Sequence, residues 1–181
     1  RIPATMARWT DWLREQGESK AACTAAALTR QTLVGGQITL PGPVGESNLY
    51  SLPRRGNILC IAQTKAGLYD QISLALSGDN AALVLADSSL TGWIASLPDA
   101  LQLVIRPVTS AKEEPCAIVL GEQDEAVFAE ARKALSASDR PIASAWLTAA
   151  GLPAPESVVE EQCRSINTTA AGGNASLMAL G

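Results

Sequence analysis

Apolar positions near the start of the chain keep a helical period, and further on strand-sized apolar runs alternate with helical periods. Met6, Trp9 and Leu13 recur at three- and four-residue spacing, which predicts one helix. Gly17 interrupts it, and the alanine-rich stretch 20–33 predicts a second. Gly35, Gly36, Pro41, Gly42, Pro43 and Gly45 surround a short expected strand at Gln37–Leu40, followed by a connector over 48–55. From residue 57 the pattern changes. The run 58–62 reads as a strand, and Leu68, Ile72 and Leu76 give the helix after it. A strand over 81–86 precedes a helix with Leu90, Ile94 and Leu97 on its buried face, closed by Pro98.

Strands over 101–106 and 116–120 follow, separated by a polar loop at 109–115. The next helix has Glu122, Asp124 and Glu125 early and Arg132 and Lys133 late, matching the helix dipole, with Val127, Ala131, Ala134 and Leu135 as its apolar face. A last strand spans 142–147, and an extended segment at 158–166 precedes the tail. Near-continuous apolar strands alternating with amphipathic helices imply a sheet covered on both sides. The expected fold class is α/β: a Rossmann-like, doubly wound, mostly parallel sheet with N-terminal helices and an extended C-terminal tail. The expected division is a helical arm and connector at 1–47, the Rossmann-like domain at 48–150, and an extended segment with tail at 151–181.

Composition sharpens this picture. Of 181 residues, 47% are hydrophobic and 18% charged, which suits a folded domain rather than a disordered chain. The sequence opens on Arg1 without a secretory pattern and reads as a piece of a longer, cytoplasmic protein; no apolar run reaches the ~20 residues that span a bilayer. The net charge of −4, with arginines scattered along the chain, argues against nucleic-acid binding.

The chemistry on offer is sparse. Cys23, Cys60, Cys116 and Cys163 are widely spaced, with no CxxC pair, and the sequence has no histidine, so neither a Cys/His metal site nor a Cys–His nucleophile is expected. Cys60 and Cys116 sit in apolar runs and read as small buried residues. The turn after the first parallel strand reads Gln63, Thr64, Lys65, Ala66, Gly67, without GxGxxG. Glu113 with Glu114, and Glu160 with Glu161, read as solvated surface charge rather than acid/base pairs. Trp9, Trp12, Trp93 and Trp146 read as packing anchors. No catalytic, cofactor-binding or metal residue is assigned.

Two passages add a different kind of information. GPVGESNLYSLPRRG, residues 42–56, and SINTTAAGGNASLMALG, residues 165–181, resemble the C-terminal region of the bifunctional proline utilisation A flavoenzymes. That resemblance implies a parent that oxidises proline with FAD and glutamate semialdehyde with NAD, both catalytic domains lying upstream. It implies a C-terminal domain that is a degenerate copy of the aldehyde dehydrogenase cofactor domain and covers the cavity joining the two active sites. The parent's association with the inner membrane is peripheral in some members. The partner implied is the upstream aldehyde dehydrogenase domain, in the same polypeptide or in another protomer. The tail expected to dock there comprises Asn167, Thr168, Thr169, Gly172, Gly173, Asn174, Ser176, Leu177, Met178 and Leu180. The competing reading is a nucleotide-binding domain of an oxidoreductase.

Overall fold

Successive residues of strand β3 (Asn57–Ile61) divide between two cores: Ile58 and Cys60 face one, Leu59 and Ile61 the other. A strand buried on both faces has no polar face, which is why this part of the sequence is a continuous apolar run. The computed structural model describes residues 3–85 and 88–167. β3 is the centre of a five-stranded, wholly parallel sheet with β4 (Ala81–Val84), β5 (Ile105–Pro107), β6 (Ile118–Gly121) and β7 (Ser144–Leu147), in the order β5-β4-β3-β6-β7. The chain steps outward from β3 to β5, then returns to the other side of β3, so the winding reverses between β3 and β6.

One face is covered by α1 (Ala4–Glu15), α2 (Ser19–Gln31) and α3 (Lys65–Ser77), preceding β1 (Gln37–Leu40) and β2 (Glu46–Ser51) in the case of the first two. Met6, Trp9, Leu13, Ala25, Leu28, Leu68, Ile72 and Leu76 join Ile58, Cys60 and Leu120 in a single core there. The N-terminal helices are therefore part of the layer that buries the sheet. Trp9 anchors it: its ring stacks on Trp12 at 5.2 Å, meets Tyr69 edge-on at 5.5 Å, and donates its indole N–H to Ser73 Oγ at 2.9 Å. The hydrogen bond removes the cost of burying the indole nitrogen. The other face is thinner, with Phe128 and Ala131 of α6 (Ala126–Ser136) packing beside Leu59, Leu83 and Val119.

A second sheet is antiparallel, in the order β1-β2-β8, with β8 at Gln162–Asn167. All residues of β1 and β8 are exposed. The first half of the stretch expected as a connector over 48–55 is thus strand, because β2 gains ladder partners on both sides, one of them over a hundred residues away.

Other elements differ in detail. The single helix expected around Leu90, Ile94 and Leu97 is α4 (Ser88–Thr91) followed by a 3-10 turn at Gly92–Ser96, with Ile94 and Leu97 buried as expected. The strand expected from residue 101 begins only at Ile105. Leu101 lies in the short helix α5 (Asp99–Gln102), whose N-cap is Pro98. Glu122 and Asp124 precede α6, Glu125 is its N-cap, and Val127 is 50% exposed while Phe128 takes the buried position. Trp146 is 45% exposed on the edge strand β7, so it is not the packing anchor expected. The segment after the last core strand forms a 3-10 turn at Pro155–Val158 before β8.

Candidate functional site

In a doubly wound sheet, ligands bind outside the carboxyl ends of the strands where the winding reverses. Here that place lies between the ends of β3 and β6. The turn from β3 to α3 is formed by Ala62, Gln63 and Thr64. Thr64 is the N-cap, in extended conformation, and its hydroxyl accepts a hydrogen bond from the Gly67 N–H at 3.0 Å. Across the reversal, Glu122 follows β6, and its own N–H donates to the Ile61 carbonyl at 2.9 Å, extending the β3–β6 ladder by one bond.

The Glu122 side chain folds back over that turn. Its Oε2 accepts from the consecutive backbone N–H groups of Gln63 and Thr64, at 2.7 and 2.9 Å, and its Oε1 accepts from the Thr64 hydroxyl at 2.6 Å. Consecutive N–H groups converging on one oxygen form an anion-binding concavity, and the anion in it belongs to the chain itself. Partial burial pushes the Glu122 carboxyl up, but the hydrogen bonds from Thr64 and Gln63 outweigh it and hold its pKa below the ordinary value.

Gly67 makes the arrangement possible by close approach. A Cβ at this position would lie 2.4 Å from the Glu122 carboxyl carbon. Lys65, beside the turn, is directed elsewhere: its Nζ pairs with Glu18 at 2.8 Å and lies 5.3 Å from the Tyr69 ring centroid. Next to the turn is a crevice of about 740 Å³ with Ile61, Leu85, Val108 and Phe128 in its wall and Gln63 and Gln123 at its polar positions. Glu125 also lines it. A dinucleotide pyrophosphate does not fit these residues, because its charge would meet two carboxylates, one already holding the amide donors.

The remaining residues singled out in the sequence are scattered. Cys60 is fully buried and burial pushes its thiol far up, so it is a packing residue and not a nucleophile. Cys116 is half-buried and also raised, chiefly by burial, with Arg140 acting against it; Cys23 and Cys163 are exposed. Glu113 is exposed, as expected, and Glu114 half-buried, but each has a partner. Glu114 pairs with Arg106, and Glu113 accepts from the Thr109 N–H at 2.7 Å and its hydroxyl at 3.0 Å. The backbone bond from Thr109 is the main cause of the lowered Glu113 pKa. Among the described residues no group of three or more His, Cys, Asp or Glu is placed to hold a metal, and no helix is long and apolar enough to cross a membrane. Of the proposed docking tail, Asn167 closes β8 opposite Glu46. Thr168, Thr169, Gly172, Gly173, Asn174, Ser176, Leu177, Met178 and Leu180 lie outside the described residues.

The quoted segment 42–56 has a structural role at its end. The N–H groups of Arg55 and Gly56 both donate to Asn80 Oδ1 at 2.8 Å, and the Arg55 guanidinium reaches the Ser157 carbonyl at 3.1 Å and Ser144 Oγ at 3.2 Å. Sequence reasoning missed both Glu122 and Asn80. An acid just beyond one strand and a Thr-capped turn beyond another signal a closed anion seat only once the strand order sets them side by side.

The geometry is that of a Rossmann-like α/β domain of the form seen in aldehyde dehydrogenases. A solved gamma-glutamyl-gamma-aminobutyraldehyde dehydrogenase from Burkholderia cenocepacia superimposes with a TM-score of 0.56 at 14% identity, over 81% of this chain and 37% of its own. A solved Bradyrhizobium japonicum proline utilization A (PutA) variant gives 0.61 at 18% identity, over 80% and 19%. In sequence, the bifunctional protein PutA of Rhizobium meliloti is 37% identical over 97% of this chain, and that of Escherichia coli (strain K12) 30% over 94%. No family model matches. The chain is a PutA-related domain, spanning only 15% and 13% of the length of those two relatives.

Proposed function

We propose that this chain is a non-catalytic structural domain at the C-terminal end of a bifunctional proline-catabolic polypeptide, covering the cavity between the two active sites and supporting the aldehyde dehydrogenase part. The observation that carries this reading is the Glu122 carboxylate on the Gln63 and Thr64 amides, where a cofactor domain of this topology would offer those donors to a phosphate. FAD and NAD then belong to the upstream catalytic domains. The partner is the upstream aldehyde dehydrogenase domain, engaged by the tail from Thr168 to Leu180 in the same polypeptide or across protomers. An apolar run such as Leu177 to Leu180 suits addition to an exposed sheet edge, with backbone hydrogen bonds giving affinity.

A second reading, a nucleotide-binding domain, draws on the crevice at the strand ends. Calorimetric titration of the chain with NAD, NADP and FAD separates the two: the structural reading expects no binding heat, and saturable heat from any of them favours the second. Within the full-length parent, deleting residues 170–181 should impair semialdehyde oxidation and intermediate transfer while sparing proline oxidation. A truncated parent with both activities intact and no lag in coupled turnover rejects the docking role.

A further inference from the structure

We propose that Glu122 is a tethered anion that shuts the switch point to phosphate-bearing ligands. The inference deepens the non-catalytic reading above by naming the group that keeps a ligand out.

Three donors converge here, and all are satisfied by one carboxylate: the Gln63 N–H, the Thr64 N–H and the Thr64 hydroxyl. The same hydroxyl accepts from the Gly67 N–H, so the chain of hydrogen bonds runs from the first turn of α3 through Thr64 to Glu122. Two carboxylate oxygens offer these donors a pair of anionic acceptors, as two oxygens of a phosphate would. A side chain fixed by β6 also holds its charge beside the seat at high effective concentration, where a free phosphate has to be recruited from solution.

Two neighbouring residues fit this role. Gly67 leaves the space that the carboxyl group fills; a methyl group there would sit 2.4 Å from the carboxyl carbon. Lys65, which could have drawn a phosphate in, is paired with Glu18. The turn already contains its anion, and the lysine next to its N-cap is paired elsewhere.

The test compares the chain with its Glu122→Ala variant by thermal melting in inorganic phosphate and in chloride at matched ionic strength. The wild type, whose seat is filled, should show only the general strengthening of burial that phosphate gives without binding. The variant should melt lower in chloride and gain about 3 °C more than the wild type in phosphate at tenfold excess over Kd. Glu122→Ser, which likewise removes the carboxylate and leaves its space open, should gain similarly, and it decides the matter if Glu122→Ala does not fold in chloride. An equal phosphate gain in the wild type overturns the proposal, since removing Glu122 then opens no site. So does the absence of any gain in both variants, or their failure to fold even in phosphate. These outcomes are independent of the tail: a truncated parent with normal coupling rejects the lid role alone, and a missing phosphate gain rejects the tethered anion alone.

Discussion

The side-chain amide of Asn80 donates to the carbonyl of Val158 at 2.7 Å, joining positions 78 residues apart. Asn80 is buried at the start of the approach to β4. Besides Val158 it donates more weakly to the Ala75 carbonyl at 3.3 Å, and it accepts the two N–H groups of Arg55 and Gly56. Gly78 permits the approach, because a Cβ there would lie 2.5 Å from Asn80 Nδ2 and 2.6 Å from the Val158 carbonyl oxygen.

Asn80→Ala leaves the part-buried Arg55 and Gly56 N–H groups and the buried Val158 carbonyl without this partner, while the Ala75 carbonyl keeps its backbone donors. The expected cost is about 3 kcal/mol, because unmade hydrogen bonds of buried groups cost their desolvation. Asn80→Asp should also destabilise, since it keeps the acceptor for Arg55 and Gly56 but turns a carboxylate oxygen toward the Val158 carbonyl. Denaturant titration checks both; a midpoint within error of wild type for either variant refutes the assignment of this residue as the clasp.

Leu83 of β4 and Val119 of β6 are each 1% exposed, and both face α6. Leu83→Asp or Val119→Asp places a carboxylate without a partner in an apolar layer and should abolish cooperative folding near neutral pH. Circular dichroism melts provide the check. An unchanged cooperative transition in either variant contradicts the two-sided burial.

The lowered Glu122 pKa has a sign that can be measured. Its contribution to stability is present above the unfolded-state value of about 4.3 and is lost as pH falls through the lower folded value. The stability difference between wild type and Glu122→Gln should therefore be constant from pH 7 to about 5 and shrink on further acidification. Asp70, raised chiefly by burial and also by the Glu122 charge, titrates in the opposite sense, so the comparison is made with Asp70→Asn in both proteins. A difference independent of pH down to about 3 contradicts the hydrogen-bonded carboxylate.

Most of the central sheet was readable from the sequence, because β3, β4 and β6 are buried on both faces and their apolar runs admit few other readings. The weaker readings failed where partners are distant. β2 has an unremarkable sequence, Glu46–Ser51, and becomes a strand by pairing with β1 and β8. Val127 and Phe128 are adjacent apolar residues on α6, and which of them faces inward is fixed by the helix start at Ala126 rather than by composition. The missing Gly-rich motif was visible; the group that fills its place was not. Glu122 read as a helix-start acid because helix-dipole logic is local, whereas its carboxylate acts on the turn after β3.

The pairing of β2 with β8 also bears on how the chain comes off the ribosome. Synthesis is vectorial, so β1 and β2 emerge early, while β8 emerges only after every strand of the parallel sheet has been made. Closing such a long loop carries an entropic cost that local contacts do not. The α/β layer can thus collect while β2 still has an open edge toward the site β8 will occupy, and an unpaired edge attracts any extended segment nearby. In a nascent multidomain polypeptide, the interval between these two strands is the window in which a chaperone would be most useful.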